Sequence, residues 1–177
     1  RAGVWKIRER WEAGLDLDSA AILAPHVAGF HEGFEPPCPA KLAMSGPLII
    51  ASSSFAPTGA PITLDPAARR LTHKGQTVAW LVNSAEEWEG PFEAGDGQEI
   101  DGLPLRGTFD LLAALDRFIA ADCLGFAAGE VDPVPTGSTV LGDAALVMCR
   151  RALVEPGVLF DTRGGAVVLE AGVEVRH

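Results

Sequence analysis

The stretch Thr108–Asp122, TFDLLAALDRFIAAD, decides how the chain is read. Leu111, Leu112, Leu115, Phe118 and Ile119 recur at steps of three and four residues, which predicts a helix with one broad apolar face. Thr108 suits the N-cap and Asp110 the first turn, where a carboxylate meets the positive end of the helix dipole. Gly125 and Gly129 mark the end of the helix. On this reading Leu115 is core. An aspartate there would bury an unpaired carboxylate and cost several kcal/mol.

Strand signals lie on both sides of this helix. Before it, Leu48–Ala51 is a short apolar run, and Ile62–Val82 reads as a β meander that ends in Thr77, Val78, Trp80, Leu81 and Val82. The turn candidate His73-Lys74-Gly75 interrupts that meander and places His73 at a hairpin tip, as a surface residue. After the helix, Val158–Phe160, the turn Thr162-Arg163-Gly164-Gly165 and the run Ala166–Glu170 read as a terminal β-hairpin. Ala144–Leu153 carries alanines behind Asp143, which favours a helix, although Val147 permits a strand. Residues Gly3–Leu23 are ambiguous between strand and helix, because windows this short do not separate the two periods.

These elements predict an α+β fold: a mixed or antiparallel sheet packed with a central helix and a C-terminal β-hairpin. Strand and helix do not alternate strictly, which argues against a doubly wound parallel sheet. No internal repeat of fixed period is visible. The 177 residues read as a single globular domain, 1–177, with a flexible acidic loop at 86–107. That loop holds seven acidic residues, from Glu86 to Asp101, among turn-forming glycines. Asp96-Gly97-Gln98-Glu99 lacks the full pattern of a calcium loop.

Composition narrows the function classes. An apolar content of 47% is ample for a core, and a net charge of −10 opposes unaided binding to nucleic acid or to an anionic membrane. No apolar run approaches the roughly 20 residues of a membrane helix. No secretory leader is visible, and the start at Arg1 leaves open a removed leader or a longer parent chain. Cys38, Cys123 and Cys149 are widely spaced and odd in number, so a reducing, cytoplasmic setting is the expectation.

Candidate chemistry concentrates in Ala24–Ser54, where His26, His31, Glu35 and Cys38 sit among prolines and phenylalanines. Pro36, Pro37, Pro39 and Pro47 exclude a long regular helix from His31 to Leu48, so the segment is a loop on which these groups could converge. His26, His31 and Glu35 would suit a divalent metal such as zinc. Without metal, the histidines could move protons, and His31 could raise the thiolate fraction of Cys38. His31-Glu32 starts like a zincin motif, but the second histidine is missing. Glycine-rich phosphate motifs and a nucleophile-elbow serine are also missing.

Two readings of function follow. One is a small hydrolase or lyase acting on a small-molecule substrate through the 26–38 loop, with or without metal. The alternative is a non-catalytic structural or interaction subunit, a homo-oligomer or a component of a protein complex, with the C-terminal hairpin offering an edge strand.

Overall fold

In the computed structural model, residues 2–24, 26, 29, 36–39, 46–85, 88–127 and 131–177 are described. The fold is α+β, with two α-helices and twelve strands in mixed and antiparallel sheets among the described residues. The chain divides into two compact units, Trp5–Leu111 and Leu112–His177 together with Ala2–Val4. No helix among the described residues is long and apolar enough to cross a membrane.

The first unit begins with α1, Ile7–Leu15. Glu9 folds back to accept a hydrogen bond from the Lys6 N–H at 2.8 Å, which satisfies one donor at the start of the helix. The helix ends at Asp16 in the left-handed conformation. Its Trp11 indole donates to the Ser52 carbonyl at 3.2 Å, fixing the helix against the chain that follows β1.

Four strands form the main sheet in the order β1 (Leu48–Ala51), β4 (Gln76–Val82), β3 (Arg70–His73), β5 (Gly97–Glu99). β3 and β4 are a hairpin turned at Lys74 and Gly75, whose φ of 51° and 78° are the pair of positive values that a type I′ turn requires. β5 joins β3 in parallel, with Arg70 opposite Gly97. A second, two-stranded ladder pairs β2 (Phe55–Pro57) with β6 (Gly102–Pro104). Residues 88–107 therefore carry two strands, and Glu93 engages the sheet, accepting from Arg70 at 2.6 Å and from Thr77 at 2.7 Å. Trp11, Phe55, Leu71, Val78, Ala79 and Ile100 make the core of this unit. Gly102 is required there, because a Cβ at that position would collide with the Phe55 ring and the Ala56 carbonyl.

The long helix α2 runs Thr108–Ala127, beyond the predicted end at Asp122. Asp110 accepts from the N–H groups of Arg106 and Gly107 at 2.6 and 3.0 Å, an N-terminal cap. The buried line of the helix is Ala114, Phe118, Asp122 and Cys123, with Asp122 accepting from the Val4 N–H at 2.9 Å. Leu112, Leu115 and Ile119 are exposed, so the apolar face read from the sequence is displaced. Five apolar positions span more than one stripe, and the pattern alone does not say which stripe is covered.

The rest of the second unit is a stack of two backbone coils. β7 (Thr139–Leu141), β8 (Val147–Cys149) and β9 (Leu153–Val154) make the first coil. β10 (Leu159–Asp161), β11 (Val167–Leu169) and β12 (Glu174–Val175) make the second. Each strand pairs in parallel with its counterpart one coil away: Thr139 with Leu159 and Val147 with Val167, both 20 residues on, and Leu153 with Glu174, 21 on. Between the coils, Val147, Cys149, Val158 and Phe160 close a small apolar core.

This arrangement corrects two expectations. The terminal hairpin does not form. The Thr162–Gly165 turn is present, with the Gly165 N–H donating to the Thr162 carbonyl at 3.2 Å, but β10 and β11 each pair with the preceding coil instead of with each other. The helix expected at Ala144–Leu153 is reduced to a single 3₁₀ turn, Ala144–Leu146, capped by Asp143. Val147, Met148 and Cys149 then bury themselves as a strand, because the ladder with β11 satisfies their backbone while their side chains leave water.

Leu71→Ala should destabilise the protein by about 2–5 kcal/mol, since Leu71 is fully buried in the first core. Leu115→Asp should cost no more than about 1 kcal/mol, mostly helix propensity. Urea midpoints of the two variants check both values; a larger loss for Leu115→Asp would return that residue to the core.

Candidate functional site

The loop read from the sequence is only partly described. The backbone N–H of Ile22 donates to the Pro37 carbonyl at 2.9 Å, and the Cys38 thiol donates to the Ala24 carbonyl at 3.2 Å. These two bonds tie the ends of the 24–38 segment together. His26 lies in a short 3₁₀ position and is exposed. His31 and Glu35 lie outside the described residues. Among the described residues, no three histidine, cysteine, aspartate or glutamate side chains are grouped to hold a metal ion. The partner found for Cys38 among the described residues is a backbone carbonyl.

A different histidine lies buried in the first unit. His73 is only 5% exposed, which overturns its reading as a surface residue at the hairpin tip. Lys74 and Gly75 alone make the turn, and His73 is the last residue of β3, on the same side of the strand as buried Leu71. Its ring packs on Phe55 with centroids 5.1 Å apart. Its Nδ1 lies 3.0 Å from the Ile100 carbonyl. A carbonyl can only accept, so Nδ1 carries the proton. Nε2 is buried and has no hydrogen-bond partner among the described residues.

His73 also lines a cavity of about 340 Å³ together with Ser52, Ser54, Phe55, Gln76 and Arg106. The sheet supplies the floor through β3 and β4, while the turn before β2 and the chain after β6 supply the walls. Ser52 and Ser54 hydroxyls lie 2.7 Å apart and bond to each other. Arg106 is exposed. The signal that could have found His73 was its parity with Leu71: two residues apart on a strand, the two share a face.

The turn beside His73 is clamped from β5. Glu99 accepts from the Lys74 N–H and, at 2.9 Å, from the Thr72 hydroxyl. These bonds, the Lys74 N–H first, hold the Glu99 carboxyl below its ordinary value of 4.5.

Comparison with protein-family profiles, curated proteins and solved structures gives no match to the chain.

The Glu99 clamp has a pH signature. A carboxylate whose folded-state value is depressed contributes stability that is complete above the ordinary value of 4.5 and is lost as pH falls through the lower folded-state value. The gap in thermal midpoint between the parent and Glu99→Gln should therefore be largest at neutral pH and narrow on acidification. A gap that stays constant with pH would show that the charge on Glu99 does not contribute.

Proposed function

We propose that the chain is a non-catalytic interaction subunit that assembles with itself or with another protein through the edges of its coil stack. One observation carries this reading: the stack holds two coils, and each of its ladders has only two strands. Coiled β architectures gain stability by stacking, and about three repeats are needed before the inner ones are covered on both sides. Parallel strands are ordinarily covered on both faces. Here Leu153 and Leu159, 63% and 55% exposed, add apolar surface beside strand edges that have no further neighbour among the described residues. An edge of this kind is a template for a strand from another chain. The net charge of −10 makes a protein surface a better partner than nucleic acid. The free thiols of Cys38, Cys123 and Cys149 fit a reducing, cytoplasmic setting.

Light scattering of the 177-residue chain tests this proposal. A particle larger than a monomer is expected for the parent, and the double variant Leu153→Lys/Leu159→Lys should shift it to the monomer, because charge on an edge opposes strand addition. A strictly monomeric parent at working concentration counts against self-assembly.

The tied ends of the 24–38 segment favour a second reading, a small hydrolase or lyase that uses His26, His31, Glu35 and Cys38. In its metal form, His26, His31 and Glu35 would hold a divalent ion such as zinc, which would polarise a carbonyl and activate water. Elemental analysis of untagged protein should then find about one metal ion per chain, lost in His31→Ala with the urea midpoint unchanged. Metal-free parent protein would remove the metal form.

A further inference from the structure

The two edges of the coil stack are not equally open. On the outer side of β8 the chain covers itself: Asp132 bridges to Cys149, its N–H donating to the Cys149 carbonyl at 2.7 Å, and its carboxylate accepts from the Arg151 N–H. β10, β11 and β12 have no such cover on their far side among the described residues. The bonds already made fix the direction of the remaining groups. The Val173 and Val175 carbonyls accept from the N–H groups of Leu153 and Glu155 at 2.9 and 3.0 Å. A trans peptide turns its N–H opposite to its C=O, so the N–H groups of Glu174 and Arg176 point away from the first coil, to the open side.

These two residues carry opposite charges on one outward face. Their side chains pair within the chain at 3.1 Å, and both are more than half exposed. Two residues apart, they flank Val175 symmetrically. Resting on the assembly reading above, we propose that β12 pairs antiparallel with β12 of a second copy of this chain, about a two-fold axis at Val175. In that register Glu174 of each copy lies opposite Arg176 of the other. Opposed residues whose backbone groups face each other across an antiparallel pair exchange both N–H···O bonds, and the outward-facing groups here belong to those same two residues. Opposite charges so placed attract, and the contact occurs twice. A register centred on Glu174 or on Arg176 would set that residue against its own copy, like charge against like. The two-fold contact is isologous and closes at two copies. Stacking the open edge on the first coil of a further copy would instead meet the outer side of β8, where Asp132 already lies.

Charge exchange tests the register on the intact chain, since both side chains are exposed. Sedimentation equilibrium at low ionic strength, where surface charges are least screened, should find a dimer for the parent. Glu174→Arg alone and Arg176→Glu alone each set like charges together at both contacts, and each should weaken the dimer by about tenfold or more. An equimolar mixture of the two variants restores opposite charges at both contacts, so it should recover dimers that hold one copy of each. A parent that is oligomeric but insensitive to either substitution, variants that do not recover on mixing, or a particle that grows beyond two copies would overturn this register and leave assembly through another edge standing. A strictly monomeric parent would overturn both the register and self-assembly.

Discussion

Parallel backbone pairing across one coil is the constraint on which the C-terminal unit depends. Each strand there is only two or three residues long, too short to hold itself by pairing with a neighbour in sequence. Lined up 20 or 21 residues apart, three such strands share one apolar filling, and each ladder supports the others. The corners follow from this spacing. Gly142, at φ 114°, lets the chain pass directly against Thr162 of the next coil, where a Cβ would meet the threonine hydroxyl. Thr162 is buried, with its hydroxyl 3.0 Å from the Asp143 carbonyl, so the two coils are also bonded at this corner.

The first unit is organised around an aromatic contact instead. Phe55 sits between Trp11 and His73, with ring centroids 5.9 and 5.1 Å away, and it reaches that position only because Gly102 has no side chain. The same packing that buries Phe55 buries the imidazole, and the Ile100 carbonyl then orients it. Structural and chemical features therefore coincide at His73. The core sets the tautomer of the His73 ring.

Several local signals in the sequence proved sound, the helix read at Ala144–Leu153 excepted, and the long-range pairing left no signal. Lys74-Gly75 specifies its turn, Asp143 caps its short 3₁₀ segment, and Thr108 to Asp122 is helical, all through contacts within a few residues. The parallel ladders join residues 20 apart through strands that carry no alternation long enough to register, and two coils are too few for a period to show. The turn at Thr162–Gly165 looks the same whether it closes a hairpin or a coil corner; only the distant partner β8 decides. The helix face went astray for a related reason. Leu112, Leu115 and Ile119 are as apolar as Phe118, and the stripe that is covered depends on what packs there. For the site, histidine, glutamate and cysteine are dense between residues 24 and 38, and His31 and Glu35 of that group lie outside the described residues. His73, alone in sequence, was identifiable through its shared face with Leu71.

The pairing of β10, β11 and β12 with the preceding coil bears most directly on the proposed use of the stack edges. Nuclear magnetic resonance couplings transmitted through hydrogen bonds read that pairing bond by bond. The expected result is coupling from the Arg150 amide to the Leu169 carbonyl, from Leu153 to Val173 and from Glu155 to Val175, bonds of 2.8, 2.9 and 3.0 Å. Close Hα–Hα contacts between residues 159–161 and 167–169, the mark of an antiparallel hairpin, with those couplings missing, would contradict the stack.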